Sequence, residues 1–197
     1  MTSLHKTFRL LSFKTHIKTF FRQFSAIVLT LFFTVNTAQA SHATLAKNAG
    51  LTHKHMNEII KKVVKHESTS GSYTTKNKKS GAYGRYQIMS KTAKAYAKKL
   101  NIPYSQWKRA GNQDRIFEAI MRDNILSLKR NKIKISAFSL YGTHQQGASG
   151  FKAIMKNKKL SKRLEKNLRQ NLPKKYKHIS KANLKKTWMK YWKKKMS

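Results

Sequence analysis

Met56, Ile59, Ile60, Val63 and Val64 recur at the spacing of one helix face, and a carboxylate, Glu67, falls one turn further along it. The pattern predicts an amphipathic helix over His53 to Glu67 with an acid set in its apolar stripe. Such a stripe has to be covered, and the chain supplies further helices to cover it. The spacing predicts a helix over Thr92 to Leu100, closed by Asn101-Ile102-Pro103. It predicts a long one over Asn112 to Lys129, with Ile116, Phe117, Ile120, Met121, Ile125 and Leu128 inward. A short buried helix over Ile135 to Gln145 follows, and another begins at Gly147 and runs to Met155. No run alternates as a strand would. The fold class expected is mainly α.

The chain has six acidic residues, and four have an ordinary reading. Glu58, Glu118 and Glu165 each have a cation four residues on, Lys62, Arg122 and Arg169, the spacing of a surface helix pair. Asp114 lies near a helix start, where negative charge suits the dipole. Asp123 borders an apolar face without such a partner and is the weaker rival of Glu67. Glu67 has no cation three or four residues away on either side. Burial raises a carboxyl pKa, and a raised pKa is what a general acid at neutral pH requires. A helix-end carboxylate satisfied by amides of the following loop is the alternative from position alone.

The segment after Glu67 favours a ligand site. Ser80 to Met89 reads Ser-Gly-Ala-Tyr-Gly-Arg-Tyr-Gln-Ile-Met. Gly81 and Gly84 allow tight turns or a close backbone approach. Gln87 offers both a donor and an acceptor, and Tyr83 and Tyr86 offer flat faces for sugar rings. Glu67-Ser68 with Gly71 and Tyr73, followed by Gly81 to Met89, resembles the lysozyme-like soluble lytic transglycosylases. A third block, Ser139-Leu140-Tyr141-Gly142-Thr143-His144-Gln145-Gln146-Gly147, resembles the tyrosine-containing motif of that family in its phage-tail-type variant. The resemblance spans roughly residues 55 to 192. Glu67 and Gly71 are one residue further apart than is usual in the family, and Gly142 stands where asparagine is common.

The resemblance implies a lysozyme-like single catalytic domain and a peptidoglycan-cleaving lyase with Glu67 as its one catalytic acid and base. Glu67 would protonate the oxygen between N-acetylmuramic acid and N-acetylglucosamine. It would then take the proton of the muramyl 6-hydroxyl, giving a 1,6-anhydro end. The substrate-binding residues it implies are Tyr86, Gln87, Met89, Tyr141, Gln145 and Gln146. No metal and no cofactor is implied. His144 is a sugar contact or a satisfied core histidine. A hydrolytic muramidase on the same fold and a non-catalytic cationic envelope-binding protein are the alternatives.

Charge and targeting bear on partner and place. Residues 1–40 carry five basic residues and no acid, then a short apolar run from Phe24 to Val35 and Ala38-Gln39-Ala40. That is the layout of a cleavable secretory signal, and the run falls short of the ~20 residues that span a bilayer. No transmembrane segment is expected in the mature chain, and the expected location is periplasm or cell envelope, or secreted. Five of the 44 Lys and Arg lie in that leader, which leaves 39 against all six acids, a net of +33. Such a field attracts polyanions. For an exported protein the anionic envelope polymers fit, and no nucleic-acid readout motif accompanies the charge. The organisation expected is a signal over 1–40, a linker over 41–54, a catalytic domain over 55–160 and a Lys-rich helical segment over 161–197. From Lys152 on, 18 basic residues face one acid, Glu165. There, Leu184, Trp188, Tyr191 and Trp192 share a face that either packs on the domain or lies on an anionic surface.

Overall fold

The computed structural model describes residues 42–176 and 178–197; the expected signal over 1–40 lies outside them. Residues 42–49 are helical, here α1. This segment was expected to be linker. Leu45, Ala46 and Ala49 are instead buried in the main hydrophobic cluster, so the folded unit begins earlier than the apolar pattern suggests. Gly50, at φ +70°, ends α1, and the Leu51 amide closes back on the Ala46 carbonyl at 3.0 Å, a left-handed helix cap that glycine permits.

Helix α2 follows at His53–Ser68, with the Thr52 side chain accepting the His55 amide. Met56, Ile59, Ile60, Val63 and Val64 are all buried, as their spacing requires. Then come α3 (Ser90–Lys99), a 3-10 turn (Tyr104–Gln106) and the 21-residue α4 (Ala110–Arg130). The α4 stripe Ile116, Phe117, Ile120, Met121, Ile125 and Leu128 forms the centre of the core. Helix α5 (Ala137–Met155) opens on a capping box between Ser136 and Ser139 and bends at Gly147, whose φ of 72° and ψ of 158° are not helical. The two helices expected there are both present and meet at this kink. Helix α6 (Lys162–Gln170), a second 3-10 turn (Lys174–Tyr176) and α7 (Lys181–Met196) complete the described chain.

Helices α4, α5 and α7 pack in series, with α6 against α5 and α7. Trp188 is fully buried beside Phe138 and Phe151, with ring centroids 5.8 and 6.4 Å away. The apolar face of the Lys-rich segment therefore lies inside the fold and its lysines outside. Among the described residues the only β pairing is two isolated bridges, Lys76 with Tyr83 and Tyr83 with Ile88. They fold residues 69–89 into a compact loop between α2 and α3.

Candidate active site

Glu67 sits in the last turn of α2, where the apolar stripe meets this loop. The additional residue between Glu67 and Gly71 is absorbed at the helix end. Thr69 takes φ 49° and Gly71 φ 70°, and the Ser70 amide turns back to the Ser68 carbonyl. The Glu67 carboxyl therefore keeps its place at the end of the stripe. Its side chain is 16% exposed. Burial pushes its pKa up to about 7, and a hydrogen bond from the Tyr141 hydroxyl pulls the other way.

Its neighbour His144 does not neutralise it. His144 Nε2 is 3.9 Å from Glu67 Oε1, yet Nε2 bonds the Tyr86 carbonyl at 3.1 Å. Burial holds this imidazole below its usual pKa, so it is neutral at pH 7 and donates from Nε2. Nδ1 is then an acceptor, and it is buried without a partner. Glu67 has a tyrosine donor and an uncharged imidazole, and among the described residues no cation beside it. Such a carboxyl is half protonated near neutrality and can give and then take a proton.

Helix α5 delivers Tyr141 to Glu67. Tyr141 is 2% exposed, and its hydroxyl accepts from Gln145 Nε2 at 3.0 Å. Gln145 Oε1 in turn accepts from Gln146 Nε2 at 2.9 Å and from Trp188 Nε1 at 3.2 Å. Gly142, one residue past Tyr141, is dictated by packing: a Cβ there would overlap the Phe151 ring. That accounts for glycine where asparagine is common.

The six side chains expected to meet substrate separate into three groups. Tyr86 is a correction: it is 4% exposed, its ring stacks on Phe117 at 3.9 Å, and its hydroxyl donates to Asp114 at 2.8 Å. It is core, and no sugar reaches its face. Gln145 and Tyr141 bond each other, and Gln146, 9% exposed, turns its amide nitrogen to Gln145. Of these three, Tyr141 bonds Glu67. Met89, 46% exposed, presents open surface. Gln87 spends its amide nitrogen on the Thr75 and Gly84 carbonyls, at 3.2 and 2.9 Å. No hydrogen bond from a described residue reaches its Oε1.

Sequence reasoning missed what holds the loop. Asp114 accepts the Tyr73 hydroxyl at 2.9 Å and the Tyr86 hydroxyl at 2.8 Å. Gln113, fully buried, donates to the Tyr73 and Lys108 carbonyls at 2.9 and 2.7 Å and accepts the Arg85 amide at 3.2 Å. Gly84 is required because a Cβ would overlap the Gln113 amide. Arg85 bonds the Gly71 carbonyl at 3.2 Å and lies over the Tyr73 ring. The signal available was a Gln-Asp pair at the start of a long helix, but its loop partners Tyr73, Arg85 and Tyr86 lie far back in the sequence.

The rival Asp123 is engaged elsewhere. Lys99 and the Tyr96 hydroxyl bond it at 2.8 and 2.9 Å, and these contacts hold it below the ordinary carboxyl range despite partial burial. Among the described residues, no three His, Cys, Asp or Glu side chains group closely enough to hold a metal.

Residues 44–124 match the sequence profile of the transglycosylase SLT domain. Those residues are similar to that family. The SLT domain carries lytic-transglycosylase-type activity on peptidoglycan, and its lysozyme-like all-α fold is the one described above. Comparison with curated proteins and with solved structures returns no match. The match takes in Glu67, the glycine loop and α4 as far as Asn124. Tyr141, Gln145 and Trp188 lie beyond it. Among the described residues no helix is long and apolar enough to cross a membrane.

Proposed function

We propose that the protein is an exported lytic transglycosylase that cleaves the β-1,4 bond between N-acetylmuramic acid and N-acetylglucosamine and leaves a 1,6-anhydromuramyl end. Glu67 is its general acid and base. The observation that carries this reading is one carboxyl, Glu67, mostly shielded from water and pushed by that burial up to about 7, facing a tyrosine donor and a neutral histidine. Glycosidases of the two-carboxylate kind need a second acid across the bond. The other three acids of the motif region all lie on α4: Asp114 is bonded by Tyr73 and Tyr86, Asp123 by Lys99 and Tyr96, and Glu118 has Arg122 one turn on.

Protonated Glu67 gives its proton to the glycosidic oxygen as that bond to the anomeric carbon breaks. The carbonyl oxygen of the sugar's own 2-acetamido group attacks the anomeric carbon and holds the developing charge. The Glu67 carboxylate then removes the 6-hydroxyl proton, and O6 displaces the acetamido oxygen to close the anhydro ring. Glu67 ends protonated, as it began. Tyr141 stabilises the carboxylate form between the two transfers. Gln87 Oε1 and Met89 line the substrate side. The resemblance of the motif around Tyr141 to the phage-tail-type variant supports that branch in this reading. The net positive charge draws the protein to anionic envelope polymers, which raises encounter without choosing the bond cut.

Mass spectrometry of digested sacculi tests the product. Anhydromuramyl ends, one water lighter than hydrolysed ends, are expected to dominate. Predominantly reducing muramyl ends would give the reaction to a hydrolase.

A further inference from the structure

The Lys-rich terminal helix also reaches the reaction centre. Trp188 on α7 is buried, and its indole N–H donates to Gln145 Oε1 on α5. An indole nitrogen can only donate. Gln146 Nε2 gives a second donor to the same oxygen. With two donors on Oε1, the Gln145 side chain has one orientation, and its NH2 faces the Tyr141 oxygen. That oxygen is therefore an acceptor toward Gln145. The Tyr141 proton is left for the other neighbour, the Glu67 carboxyl.

We propose that Trp188 is a positioning residue that, by fixing the amide of Gln145, directs the Tyr141 hydroxyl proton onto Glu67, so that α7 is part of the catalytic unit. This rests on Glu67 being the acid and base. Were the amide free to rotate, Oε1 would accept the Tyr141 proton, and Glu67 would lose its one side-chain donor.

The groups that could imitate this effect are few. Glu67 faces Tyr141 and His144, both from α5. Tyr141 faces His66 of α2, at 5.8 Å between ring centroids, and Tyr191 of α7. Lys62, Lys65 and Lys195 lie around His66. Trp188→Phe alters none of these charges and keeps an aromatic ring against Phe138 and Phe151.

The test is the pH dependence of kcat for Trp188→Phe and Gln145→Glu on soluble glycan fragments, with melting temperature measured alongside. A lost neutral hydrogen bond is worth about 1 kcal/mol. Trp188→Phe should lower kcat up to roughly tenfold and move the alkaline limb upward by about 0.5–1 pH unit, with KM little changed. Gln145→Glu has no NH2 to offer and captures the Tyr141 proton outright, so its limb should move further in the same direction. A kcat loss in both variants with the limb unmoved would mean a structural role only and would overturn the proposal, as would a wild-type profile in both. If Trp188→Phe does not fold, the Gln145→Glu limb decides alone. Glu67→Gln is run beside them: if it keeps its activity, the assignment of Glu67 falls; if it is inactive while both limbs stay put, only the role of Trp188 falls.

Discussion

Glu67→Gln should make the protein more stable at alkaline pH while removing its chemistry. Burial holds the Glu67 carboxyl at about 7 against an ordinary 4.5. Below pH 4.5 the group is protonated in folded and unfolded chains alike, and the two proteins should melt together. As pH rises from 4.5 toward 7, the unfolded chain releases its proton and the folded one does not. Wild-type stability falls across that window by about 1.4 kcal/mol per unit. The shift of two and a half units sets the total at about 3 kcal/mol, reached a little above pH 7. Glutamine is neutral throughout and has the same shape, so it escapes this loss. For a domain of this size, each kcal/mol corresponds to about 2–4 °C. Differential scanning calorimetry should find Glu67→Gln melting about 6–12 °C above wild type at pH 8 and level with it at pH 4. Equal melting at both pH values would mean that Glu67 is an ordinary carboxylate, and the acid–base reading would lose its physical basis.

Trp188→Ala removes a fully buried side chain and should cost about 3–5 kcal/mol; if melting barely moves, α7 is a detachable surface anchor. Gly142→Ala forces a methyl into the Phe151 ring and should cost about 1–3 kcal/mol in urea unfolding, although alanine is the better helix former. Lys186, Lys190 and Lys194 are exposed on α7, whereas Lys185 is tied to Asn157 and Lys158. Changing those three to Gln should weaken sacculus pull-down and flatten its salt dependence, since charges are screened within about 8 Å at 0.15 M salt. Turnover on short soluble fragments should stay the same, and pull-down indifferent to salt would leave the lysines without a binding role.

The sequence made the local geometry legible and hid what depends on distant partners. The 3.6-residue stripe in α2 and α4 was plain because both helices bury one face, and the Gly147 bend showed as a glycine between two apolar runs. Residues 42–49 escaped notice because Leu45, Ala46 and Ala49 are three apolar positions in a polar stretch, too few to show a period before the core that receives them is known. Glu67 was legible because it interrupts an apolar face and precedes a motif. Tyr86 was misjudged because a tyrosine between glycines looks available, and its burial depends on Phe117 and Asp114 from another helix. Gln145 has the composition of a ligand contact, and only the placement of Trp188, 43 residues on, reveals that its amide is already spent. Polar side chains in a site can serve the substrate or the catalytic group, and sequence spacing does not separate the two.

The most direct test of the central claim is the rate of sacculus cleavage by purified Glu67→Gln, its fold verified by the melting curves above. Removing the one acid and base should lower turnover by at least about 10²–10⁴-fold and abolish the anhydromuramyl product with it. Cleavage at a rate near wild type, with the same anhydro ends, would contradict the account.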